Sequence, residues 1–141
     1  MRTKIQITAD CADVPTALAF WEQALGYVQE PPPPGHESWA AYAEAYAIPR
    51  SQWHGALVDP AGIGPRLFFQ TVPEPKTVKN RWHLDVEVTD RSTPAGEREA
   101  TIAAKVAELV ALGATEVETI HEGGGVFTVM LDPEQNEFCV Q

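Results

Sequence analysis

Cysteine, basic residues and long apolar runs are all scarce in this sequence. The 141 residues include two cysteines, Cys11 and Cys139, too few for a disulfide framework and matching no CxxC spacing. That usage fits a reducing compartment, so a cytoplasmic protein is expected. No apolar stretch approaches the roughly 20 residues that cross a bilayer. The opening Met-Arg-Thr-Lys leads into a strand-like segment rather than a signal peptide's apolar region, and no membrane partner is expected. Ten Lys and Arg stand against twenty Asp and Glu, a formal net charge of −10. A nucleic-acid binder needs the reverse balance, because phosphate neutralisation supplies most of its affinity, so nucleic acid is set aside as a partner. Acidity serves solubility, and it also raises the encounter rate with cationic small molecules. Neither a Ser-His-Asp ordering nor a nucleophile elbow is present. The three glycines of "HEGGGVF" lie between strand-like runs with no helix after them, which makes a hairpin rather than a phosphate cradle.

What is present is periodicity, and it occurs twice. "NRWHLDVEV", residues 80–88, puts Trp82, Leu84, Val86 and Val88 on one face and Arg81, His83, Asp85 and Glu87 on the other. That is a strand with one buried face; its polar face is either a solvated surface or the lining of a polar cavity. "KIQITAD", residues 4–10, alternates in the same way, with Gln6, Thr8 and Asp10 on the polar side. After it, Asp13 is suited to cap a helix and Pro15 to its first turn, Ala17, Leu18, Trp21 and Leu25 recur at helical spacing, and Gly26 ends the run. The later half repeats this with a helix over 97–112, a stripe of Ile102, Val106, Leu109 and Val110, and Gly113 as the stop. "ALVDPAG" precedes a strand at 66–72 and "VMLDPEQN" precedes a last strand, "EFCVQ"; each Asp-Pro marks a turn. Each half therefore reads strand, helix, three strands: one domain of two modules, about 4–72 and 80–141, joined by "TVPEPKTVKN". Outside the repeat lie the stiff "PPPPG" and a helix over 36–48. Its stripe of Trp39, Tyr42 and Tyr46 has no place in the repeated core, so Trp39 and Tyr42 are expected to face a binding mouth or a partner copy.

A tandem βαβββ carrying "AFWEQALGY", "VPEPKTVKNRWHLDVEV" and "LDPEQNEFCVQ" resembles the glyoxalase/bleomycin-resistance/dioxygenase family, the vicinal oxygen chelate superfamily, and within it the glyoxalase-like domain proteins. The resemblance covers essentially the whole chain. It implies an α+β fold whose modules form a cupped mixed sheet with the ligand in the cup, and a homodimer. It also implies metal-ligand positions on the first and fourth strands of each module, which fall here on Gln6, Gln70 (with Phe69 as the alternative), His83 and Cys139. An amide and a thiol stand at both expected Glu positions, although an ion in an oxygen/nitrogen site wants carboxylates to offset its charge. Asp85 shares a face with His83 and is a possible substitute.

The reading that results is a protein binding a small organic molecule in the cup without a metal cofactor, as in the bleomycin-resistance branch, with His83, Asp85, Gln6, Gln70, Arg81 and Trp39 as ligand contacts. Its rival is a lyase, isomerase or dioxygenase using a divalent metal as Lewis acid. A third class is an interaction module with an occluded cup.

Overall fold

Alternation in the first residues produces strand β1 (Gln6–Cys11), and Asp13 then caps helix α1 (Val14–Leu25) by accepting the Thr16 N–H at 3.2 Å. The computed structural model describes residues 3–141. Gly26, at φ 67°, closes α1 in the left-handed conformation, its N–H returned to the Glu22 carbonyl. Ala17, Leu18 and Trp21 are buried as their spacing requires, together with Val14, Phe20 and Ala24. The module continues through β2 (Val28–Gln29), α2 (Trp39–Ala45), a 3₁₀ turn (Arg50–Gln52), β3 (His54–Val58) and β4 (Arg66–Thr71). Its sheet runs β1-β4-β3-β2, with β1 and β4 parallel and the other pairs antiparallel. Leu67 and Phe69 on β4 and Leu57 on β3 are buried on the side that α1 covers; Arg66, Phe68 and Gln70 occupy the other face.

The second module has β5 (Asp85–Val86), α3 (Ala95–Ala111), β6 (Thr115–Glu122), β7 (Gly125–Leu131) and β8 (Glu137–Val140), in the order β5-β8-β7-β6. Strand for strand this repeats the first module's connectivity, again with the first and last strands parallel. The fold is the tandem βαβββ that the repeated pattern requires. Ile102, Val106 and Leu109 of α3 are buried with Met130, Phe138 and Val140 of the sheet. Gly123 and Gly124 form a two-residue turn between the paired Glu122 and Gly125; both have positive φ, which only such a turn makes favourable. Each Asp-Pro turn is tied by its aspartate: Asp59 accepts the N–H groups of Ala61, Ile63 and Gly64, and Asp132 those of Glu134 and Asn136. Two compact units result, one ending at Pro75 and the other running from Lys76 to Gln141. No helix among the described residues is long and apolar enough to cross a membrane.

Three apolar positions depart from the periodic reading. Trp82 is 90% exposed, because β-pairing begins only where the Leu84 carbonyl accepts the Cys139 N–H, so no pleat orients residue 82. Ile5 is exposed for the same reason, one residue before the first paired position of β1. Val110 lies at the edge of the α3 stripe and is exposed.

Candidate functional site

On the second module, β5 and β8 run parallel with Asp85 directly opposite Cys139. His83 lies two residues before Asp85, just outside the paired strand, and its imidazole turns to the side that carries the Asp85 carboxylate. One donor atom from each of His83, Asp85 and Cys139 lies within 4.8 Å of the others. The His83 Nε2 is 3.2 Å from a carboxylate oxygen of Asp85, with about half of each side chain exposed, 50% and 43%. The chain's approach to this strand is pinned by Glu137, which accepts the Asn80 N–H at 2.9 Å and pairs with Lys76 at 3.1 Å. The Asn80 N–H is the main reason the Glu137 carboxyl sits below its ordinary range. Arg81 and Glu87 flank the cluster and are exposed.

Cys139 is partly buried, and that burial, reinforced by the Asp85 charge, pushes its thiol pKa up, with Lys79 acting weakly the other way. Its alkylation by iodoacetamide is therefore expected to be slow at neutral pH and to accelerate with a midpoint above that of a free thiol. Asp85→Asn should move that midpoint down. Peptide mapping of the alkylated protein separates it from the buried Cys11, and a midpoint unmoved by Asp85→Asn refutes the assignment.

The same three donors suit a zinc-type ion, since imidazole, carboxylate and thiolate are all zinc ligands. Bonds of 2.0–2.3 Å place the donors of a tetrahedral ion roughly 3.3–3.8 Å apart. The His83–Asp85 separation matches this and the thiol is close by. A protonated thiol must first lose its proton, so occupancy would rise with pH.

The polar face of the first module is organised differently. Gln6 donates to the Thr8 hydroxyl at 3.3 Å and accepts from Arg66, whose Nε also reaches Glu30 at 3.1 Å and whose guanidinium lies 5.3 Å over the Phe68 ring. Gln70 donates to Asp10 at 2.9 Å. It is on the open face, whereas Phe69 is buried on the other. In the parallel register Gln6 stands opposite Arg66 and Gln70 opposite Asp10. Gln6 and Gln70 are thus offset by four residues, roughly 13 Å along the strands. The structure does not gather them into one ligand pair, while it does add Asp85 to His83 and Cys139.

Trp39 packs within its own module. Its indole N–H donates to the Glu30 carbonyl at 2.8 Å, and its ring meets Tyr42 and His54 at centroid distances of 5.8 and 5.6 Å. Tyr42 and Tyr46 stack with His36, Tyr46 remaining largely exposed. Trp39, Tyr42 and His54 border a cavity of about 410 Å³ whose lining also includes Val14, Leu18 and Glu30. Sequence reasoning passed over His54 and the Arg66–Glu30 pair. The alternation of "RLFFQT" marks Arg66 as polar-facing, but nothing local says that Glu30 meets it.

The family model described as glyoxalase-like domain matches residues 6–141. A glyoxalase/bleomycin resistance protein/dioxygenase family enzyme from Burkholderia phytofirmans PsJN superposes with a TM-score of 0.63 at 16% identity, covering 96% of this chain and 94% of that one. A mutant of the fosfomycin resistance protein FosX from Listeria monocytogenes, complexed with Mn(II) and 1S,2S-dihydroxypropylphosphonic acid, superposes with a TM-score of 0.66 at 11% identity, covering 100% and 92%. A possible glyoxalase from Bacillus cereus gives 0.62 at 13%, covering 100% and 99%. No curated protein matches the chain.

Proposed function

Starting from the fact that the chain belongs to the glyoxalase-like domain family, we propose that it binds a small polar organic molecule on the polar face of its second module, without requiring a metal. The observation that carries this is the His83–Asp85 pair, a donor and an acceptor 3.2 Å apart and half open to solvent. Such a pair can take a ligand's hydroxyl or carbonyl on the imidazole and a donor or cation on the carboxylate. The departure from the superfamily's four-ligand set supports a metal-free reading: Gln6 is bound to Arg66 and Thr8, Gln70 to Asp10, and the two are far apart in register.

A second reading, a metal-dependent lyase, isomerase or dioxygenase, is favoured by the convergence of His83, Asp85 and Cys139. These three residues would hold the ion, which when bound would supply Lewis-acid polarisation of a ligand oxygen.

Elemental analysis combined with a thermal-shift screen of small organic molecules separates the two. The lead reading expects negligible metal, a ligand-induced Tm rise that survives chelator, and loss of that rise in His83→Ala with the fold intact by circular dichroism. Near-stoichiometric zinc or manganese, released in Cys139→Ser or Asp85→Asn, would establish the second reading instead. If no compound shifts the wild type, with or without added metal, both are wrong.

A further inference from the structure

The cavity in the first module shares no residue with the His83–Asp85–Cys139 cluster, and its chemistry is different. Two tryptophans and a tyrosine line it: Trp39 and Tyr42 of α2, and Trp53 just after the 3₁₀ turn. Both indole N–H groups are already satisfied by backbone carbonyls, Trp39 by Glu30 at 2.8 Å and Trp53 by Ile48 at 3.3 Å. The indoles are therefore held in place and offer ring surface rather than donors. Val14 and Leu18 add apolar floor. Among the described residues, the charged side chains in the lining are Glu30 and Glu37, with no lysine or arginine. Glu30 is paired with Arg66, which leaves Glu37, exposed at the rim, as the second acidic group. The protein itself sets a cation on one of these rings, the Arg50 guanidinium lying 5.1 Å from the Trp53 ring centroid.

We propose that this cavity binds an organic cation with a flat apolar body, an aromatic ring carrying a quaternary or protonated amine. The volume of about 410 Å³ lies in the range of small-ligand sites. Aromatic faces attract a desolvated cation through their quadrupoles, and pre-held indoles lose little entropy on binding it. A net charge of −10 raises the local concentration of cations in general. Acidic rim and aromatic wall together set the preference for charge; Val14 and Leu18 set the preference for an apolar body.

The test uses a shape-matched pair, phenyltrimethylammonium and the neutral tert-butylbenzene, titrated calorimetrically into the full chain. The cation is expected to bind roughly tenfold more tightly than the neutral compound. Trp39→Leu should remove most of that preference. Because Trp39 also ties α2 to Glu30, that variant can loosen the wall, so two milder ones accompany it. Trp39→Phe keeps a ring and should retain the preference, and Glu37→Gln, which disturbs no packing, should reduce it severalfold in a salt-dependent way. Trp39→Leu and Glu37→Gln leave His83 and Asp85 intact, so a preference lost in them belongs to this cavity and not to the second module's site. Equal affinity for the two probes, no binding of either, or an unchanged preference in both Trp39→Leu and Glu37→Gln would each overturn the proposal.

Discussion

Phe138→Ala is expected to lower the unfolding free energy by about 3–5 kcal/mol, while Cys139→Ala, one residue further on, lowers it by about 1 kcal/mol or less. Phe138 is 1% exposed and pairs across the ladder with Met130, which is wholly buried. Above them lie Ile102 and Leu109 of α3, so truncating the ring leaves a cavity bounded by a packed helix and sheet that cannot both collapse into it. Cys139 points to the opposite face, where it meets Asp85 and His83, and solvent can fill the space a missing thiol leaves. Urea denaturation of both variants checks the contrast. Comparable losses would mean that the two faces of β8 are wrongly assigned, and the candidate site would fall with them.

Asp132→Ala is expected to cost about 2–4 kcal/mol, the price of leaving two enclosed N–H groups without acceptors. Asp132 is 3% exposed, and one of its oxygens takes the Glu134 and Asn136 N–H groups, each at 2.9 Å. Its own N–H donates to the Asn136 carbonyl at 2.9 Å, closing the turn that aims β8 at β7. Asp132→Asn keeps an acceptor in place and should recover most of the loss. The corresponding Asp59 gathers three N–H groups, one more than Asp132, but in an open loop, so its replacement by alanine should be milder. Those N–H groups, that of Gly64 foremost, hold the Asp59 carboxyl below its ordinary value of 3.8. Its contribution is accordingly complete above that value and lost as the pH falls through the lower folded-state value. Chemical denaturation of Asp132→Ala, Asp132→Asn and Asp59→Ala at neutral pH tests the ranking. An Asp59→Ala loss equal to that of Asp132→Ala would show that enclosure is not what matters.

The local pattern determined the elements and their order. Period-two runs around Gln6, Phe68 and Phe138, the 3.6-residue stripes of α1 and α3, and the Asp13, Asp59 and Asp132 turns are short-range effects. Each is decided by residues within a few positions of one another. The repeat of those signals was enough to read a tandem βαβββ, and with it a family resemblance. The same alternation predicts His83 and Asp85 side by side; the two do meet, although the paired strand begins only at Asp85 and His83 precedes it.

Register was not legible, because periodicity says which face a residue takes and not which residue stands opposite. That Gln6 meets Arg66 and Gln70 meets Asp10, and that Asp85 comes beside Cys139 fifty-four positions away, follows from the ladder hydrogen bonds and the packing that selects them. Trp82 alternates correctly and still lies in solvent, because the ladder starts two residues after it. The cavity is the same kind of case: Leu18, Glu30, Trp39 and His54 belong to four separate segments. Only the tertiary fold brings Trp39 of the inserted helix against His54 and the Glu30 carbonyl.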